Sequence, residues 1–85
     1  MNVRYDSEAD AAYIRLSSNQ VTRTEEESDV CILDLDANGT VVAIELLSVF
    51  GYAGASLHSL VSKGRITPSI AEDVLRDLRQ ERVPV

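Results

Sequence analysis

The sequence predicts an α+β fold: an antiparallel β-meander of four or five strands followed by a C-terminal helical hairpin. Three observations point to it. Apolar side chains alternate in twos through Ala12–Leu16, Val30–Asp36 and Thr40–Leu47. After Phe50 the period lengthens to that of a helix, with Leu57, Leu60 and Val61, then Ile70, Ala71, Val74, Leu75 and Leu78. Asn38-Gly39, Gly64 and Thr67-Pro68 stand where a hairpin turn, a helix end and a helix start are needed. We read residues 1–85 as one domain, with the meander over 1–50 and the helical extension over 51–85.

Taken in order, Val3 and Tyr5 suggest a short first strand, and Asp6-Ser-Glu-Ala-Asp10 a polar turn. The next strand puts Ala12, Ile14 and Leu16 on one face. Ser17–Gln20 is a turn cluster, and Val21–Glu25 reads as an edge strand because threonine and charge dominate it. Glu25–Asp29 reads as an acidic connection. Gly51 and Gly54 read as a hinge or tight turn before the first helix. In the second helix Glu72 and Asp73 sit near the start, and Arg79 and Arg82 near the end, as the helix dipole favours. Pro84 fits an exposed tail.

The stretch from Asp34 to Glu45 can be read in two incompatible ways. Asp34, Asp36, Asn38, Gly39 and Glu45 satisfy every specified position of the calcium-loop pattern D-x-[DN]-x-[DN]-G-x5-E. A calcium hand, however, needs a helix on each side, and the flanks here are β-branched and alternating. With Asn38-Gly39 as a two-residue turn, Leu35 faces Val42, Leu33 faces Ile44 and Cys31 faces Leu46. Burying such a set of six at roughly 1.5–3 kcal/mol each is worth on the order of 10 kcal/mol before entropy. A millimolar calcium loop supplies only about 4 kcal/mol. The hairpin reading is preferred, and no cofactor or metal is expected.

Composition excludes several classes. The net charge is −6, and no apolar run is long enough to span a membrane. Residues 1–50 carry three arginines against ten acids, while residues 51–85 carry five bases against four acids. The first half therefore repels phosphate backbones and suits a basic partner; nucleic-acid binding is not expected. The N-terminus shows no apolar leader and there is a single cysteine, so a cytoplasmic location is expected.

Val3–Leu16, opening Val-Arg-Tyr-Asp-Ser-Glu-Ala-Asp, together with Val30–Leu47 resembles the small bacterial family called domain of unknown function 2283, over about residues 2–50. Ala12 stands where a larger apolar residue is usual in that family, and Ala43 where glycine is common. The resemblance implies a compact β-meander and no activity. Some members are similar to the acidic partner in two-gene toxin–antitoxin-like pairs, an analogy of family and not of chemistry.

The remaining candidates have plain structural readings. Asp6, Glu8 and Asp10 could form a carboxylate cluster, but aspartates also fix turns through side-chain-to-backbone bonds. Cys31 lies mid-strand among aliphatics with no basic neighbour in sequence. His58 is the only histidine and reads as a helix-surface residue. Gly51-Tyr-Ala-Gly54 lacks the lysine of a phosphate loop. A DNA-reading helix-turn-helix through Lys63–Thr67 would present Glu72 and Asp73 to the nucleic acid, which disfavours it.

The leading functional reading is a non-enzymatic protein-interaction module, partner to a small basic protein. The alternative is a small metal-binding protein or enzyme using Asp6, Glu8 and Asp10, or Asp34, Asp36 and Glu45. In the two-residue register Val30, Ile32, Val41 and Leu47 face away from the core, so a second apolar sheet face is expected, buried in a homodimer or larger oligomer.

Overall fold

The computed structural model describes residues 1–81 and residue 83. Arg82 and Pro84, which carried expectations above, lie outside the described residues. Strands β1 (Asn2–Asp6), β2 (Ala11–Arg15), β3 (Arg23–Ser28), β4 (Cys31–Leu35) and β5 (Val41–Leu46) form one antiparallel sheet. Helices α1 (Val49–Ser62) and α2 (Pro68–Gln80) follow, giving the α+β class read from the sequence. The strand order is β1-β2-β5-β4-β3. A β1–β2 hairpin and a β3–β4–β5 meander are therefore joined through β2 and β5. The segment between β2 and β3 crosses the end of the sheet, held where Leu16 N–H donates to Val42 O and Thr22 N–H to Leu35 O.

Both helices cover the same face. Ala12, Ile14, Cys31, Leu33, Leu35, Val41, Ile44 and Leu46 from the sheet meet Val49, Ala53, Leu57 and Leu60 of α1 and Val74 and Leu78 of α2. Ile14, Ile44 and Leu33 stand side by side across β2, β5 and β4, all fully buried. β5, the most apolar strand, is the central one of the five.

The β4–β5 hairpin pairs Leu33 with Ile44 and Cys31 with Leu46, as the sequence suggested, but Leu35 faces Val41, not Val42. The loop has three residues, Ala37–Gly39. Asp36 N–H donates to Thr40 O, Gly39 N–H donates to Asp36 O, and Gly39 takes the left-handed conformation at φ 80°. This loop shifts the register by one, and a bulge at Val42 shifts it back. Val41 consequently falls on the helix-covered face.

β3 also differs from the reading above. The acidic run is the strand itself. Glu25 and Glu27 are held by the cations of the α1–α2 connection: Lys63 Nζ lies 2.7 Å from Glu27 Oε1, and Arg65 Nη1 lies 3.1 Å from Glu25 Oε1. The edge strand is thus closed by ion pairs where the other strands use aliphatics. The same pairs engage both cations of the Lys63–Thr67 connection.

The two helices begin differently. At α2, Thr67 Oγ1 accepts from Ile70 N–H at 3.2 Å, and Pro68 opens the first turn. At α1 the residue in the cap position, Ser48, makes no side-chain cap bond. Asp10 from the β1–β2 loop replaces it: Val49 N–H donates to Asp10 O, and Phe50 N–H donates to the Asp10 carboxylate at 3.1 Å. Gly51 and Gly54 then lie inside α1, so the expected hinge at these glycines is not present. The helix ends where Gly64, at φ 71°, donates to Val61 O and Arg65 N–H donates to Leu60 O.

Neither Gly51 nor Gly54 is packed against anything; a Cβ at either would have no atom within 4 Å. Glycine in an exposed helix interior costs about 0.5–1 kcal/mol relative to alanine. Gly54→Ala is therefore expected to stabilise the fold by that amount, read as a higher midpoint in urea with an unchanged slope.

Candidate functional site

The carboxylates of the first loop do structural work. Asp6 Oδ1 accepts from Glu8 N–H at 3.0 Å and Ala9 N–H at 3.3 Å, fixing the turn. Asp10 adopts φ 49° and accepts from the Tyr5 hydroxyl at 2.8 Å as well as from the start of α1. Its partners are therefore a phenol and helix amides. This hydrogen bond raises the Tyr5 pKa above its ordinary value of 10.0. Asp10→Ala is expected to cost about 1–2 kcal/mol by uncapping α1, with Asp10→Asn recovering part of the loss. Thermal melts followed by far-ultraviolet circular dichroism would read both.

The calcium-pattern residues are distributed over different bonds. Asp36 Oδ1 accepts from Asn38 N–H at 2.9 Å and Thr40 N–H at 3.0 Å, and Oδ2 accepts from Asn19 Nδ2. The Thr40 amide, then the Asn19 side chain, hold its carboxyl below the ordinary carboxylate range. Asp34 accepts from the Tyr13 hydroxyl at 2.6 Å and from the Thr24 hydroxyl at 2.8 Å. Glu45 pairs with Ile32 on β4 and Tyr13 on β2, away from the loop. Among the described residues no three His, Cys, Asp or Glu side chains gather into a metal-sized cluster.

Cys31 is buried, and desolvation pushes its thiol up to about 11. It stays protonated at neutral pH, the opposite of what a nucleophile needs. His58 is exposed on α1.

The expected second apolar face of Val30, Ile32, Val41 and Leu47 does not form as such. Val41 is in the core because of the bulge. Val30 sits in the β3–β4 turn and Leu47 just beyond β5, both half-buried. Only Ile32 lies within a strand on the uncovered face. The register places it in a row across all five strands: Arg4, Tyr13, Glu45, Ile32 and Glu26. A second row holds Asn2, Arg15, Ala43, Asp34 and Thr24. This face is polar and divided by charge. Arg4 and Arg15 stand on the β1–β2 side, where they line a shallow depression of about 310 Å³ with Asn2 and Tyr13. Glu45, Asp34 and Glu26 stand on the β5–β4–β3 side. Among the described residues Arg4, Glu45 and Glu26 have no hydrogen-bond or ion-pair partner, whereas Arg15 donates to Ser17 O and Asn19 O.

A second uncovered surface lies on α1. Its 14 residues include no charged side chain. Phe50 and Tyr52 are 69% and 56% exposed. Sequence reasoning passed over both, and over Arg4, Tyr13 and Glu26. A charge-free helix in a chain with 26% charged residues was the available signal for the first pair.

The β1–β2 hairpin, whose loop aspartate caps the next helix, and the β3–β4–β5 meander around Asn38-Gly39 together make up the sheet. A family model described as a protein of unknown function, DUF2283, matches residues 2–49. The chain belongs to this family. The matched segment comprises the whole sheet and the first residue of α1. The family segment thus supplies the cap, Asp10, for a helix that lies almost wholly beyond it. No curated protein and no solved structure matches the chain. No helix among the described residues is long and apolar enough to cross a membrane.

Proposed function

We propose that this DUF2283 protein is a non-enzymatic interaction module that docks a small basic protein on the uncovered face of its sheet, as an antitoxin-like partner would. The observation that carries the reading is the pair Glu45 and Glu26. They flank Ile32 in one row, have no side-chain partner among the described residues and have Asp34 beside them. Unpaired carboxylates around an aliphatic contact give a basic partner both charge attraction and a small apolar anchor. The bonds at Asp6, Asp10, Asp34 and Asp36 favour a scaffold over a catalytic set, since each carboxylate is already engaged in holding the fold.

Co-expression with the product of the adjacent gene tests this. The expected result is a complex that weakens as salt is raised, and a Glu26→Lys/Glu45→Lys double variant that binds at least about tenfold less tightly. The variant should melt like the parent, because neither side chain holds another. If the chain neither binds its neighbour's product nor relieves any growth defect that product causes, the reading fails.

A further inference from the structure

We propose that the depression between Arg4 and Arg15, on the uncovered face of the sheet, binds a carboxylate. Asn2, Arg4, Tyr13 and Arg15 line it, around about 310 Å³. Arg4 stands opposite Tyr13 and Arg15 opposite Asn2, so the two arginines are diagonal neighbours on β1 and β2. Diagonal residues on one face of a sheet lie about 7–8 Å apart, within reach of side chains as long as arginine. Two guanidinium groups can therefore close on one oxyanion.

The other cations show what is unusual about these two. Arg23, Lys63, Arg65 and Arg76 each have a carboxylate between 2.7 and 3.8 Å away. Arg4 and Arg15 have none among the described residues, in a chain with 14 acids. Arg15 is also held in place. Its Nε donates to Ser17 O at 2.7 Å and its Nη2 to Asn19 O at 2.8 Å. Both acceptors are neutral carbonyls, so they fix the plane of the guanidinium and leave its charge uncompensated. The nearby acids serve elsewhere. Asp6 Oδ1 accepts from the amides of Glu8 and Ala9, and Asp34 accepts from the Tyr13 and Thr24 hydroxyls. Glu45 stands beyond Tyr13, two strands from Arg4. An anion seated between the arginines relieves their mutual repulsion and gains charge-assisted hydrogen bonds.

The surroundings select the kind of anion. Asp6, Asp34 and Glu45 share this face, and the chain as a whole carries a net charge of −6, so a dianion such as phosphate is repelled. A single carboxylate answers the two guanidinium groups with one charge and matches their planar fork. The site deepens the docking reading above and rests on it for the origin of the carboxylate. A partner with cations at Glu45 and Glu26 lays an acidic group over β1 and β2, about 10 Å from the cation at Glu45.

Titrating sodium acetate into the full chain at constant ionic strength, with the arginine Nε–H signals followed by NMR, tests the site by itself. The signals of Arg4 and Arg15 should shift together and saturate, with a midpoint of about 10–100 mM, while those of Arg23 and Arg76 follow a chloride control. Arg4→Gln should abolish saturation at Arg15 and melt like the parent, because Arg4 holds no other side chain. Shifts that never saturate overturn the proposal, as does inorganic phosphate binding about tenfold more tightly than acetate. A second arm finds the source of the carboxylate. Arg4→Gln makes the docking face more acidic, so a uniformly basic partner would bind it more tightly. A partner that seats its own carboxylate here should bind it about tenfold less tightly, and tighter binding overturns that source. Acetate saturation in a chain that binds no neighbouring gene product would sink the docking reading alone and assign the site to a free small carboxylic acid.

Discussion

Replacing Ile44 by alanine is expected to destabilise the protein by about 3–4 kcal/mol and lower its melting temperature by roughly 12–32 °C. Ile44 sits on the central strand, fully buried, between Ile14 and Leu33. Removing its branched chain deletes contacts to both neighbours and to the helix layer above. The rigid sheet has little room to close the gap, because β5 is held by strands on both sides. The informative control is Ile32→Ala on the opposite face. Ile32 is one ladder position from the core row, yet it is only half-buried and points away from both helices. Its truncation should cost under about 1 kcal/mol. Urea titrations of the two variants would read the difference, and comparable losses would mean that the face assignment is wrong.

Much of this arrangement is legible in the sequence because it is local. Alternation in twos identifies the aliphatics of β2, β4 and β5, and Asn38-Gly39 places the hairpin. From these follow the pairs Leu33–Ile44 and Cys31–Leu46. What is not legible is whether the same dipeptide serves a two- or a three-residue loop. The answer moves Val41 from one face to the other, and with it the character of the uncovered face. Features that depend on distant partners are hidden for a different reason. A run of three glutamates has poor strand propensity. Its conversion to β3 involves Lys63 and Arg65, 36 and 40 positions from Glu27 and Glu25. Likewise Gly51 and Gly54 read as breaks, because the cap that starts α1 comes from Asp10, 40 positions upstream of Phe50. The row from Arg4 to Glu26 needed the strand order, since nothing local places β2 beside β5 rather than β3.

Asp10 also ties the two parts of the chain together. It ends the β1–β2 loop, fixes Tyr5 and opens α1, so one side chain couples the first hairpin of the sheet to the layer that covers it. The ion pairs of Lys63 and Arg65 do the same at the opposite edge. The helices are held to the sheet at both sides as well as through the core.

The largest effect follows from that coupling. A chain cut after Ser48, which retains all five strands and nearly all of the DUF2283 segment, is expected not to fold cooperatively. It would leave Ile14, Leu33, Leu35, Val41, Ile44 and Leu46 facing water on one side of a bare sheet. At roughly 1.5–3 kcal/mol for each large side chain, the burial lost is on the order of 10 kcal/mol, comparable to the whole stability of a small domain. A single sheet with one unburied apolar face has no second layer against which to pack. Glu25 and Glu27 would at the same time lose Lys63 and Arg65, leaving an acidic edge to repel itself. The expected readout is aggregation or a featureless urea titration for residues 1–48, against a sigmoidal transition for the full chain. A sigmoidal transition in the truncated chain would mean that another surface can cover this face, and a second copy of the sheet would be the first place to look.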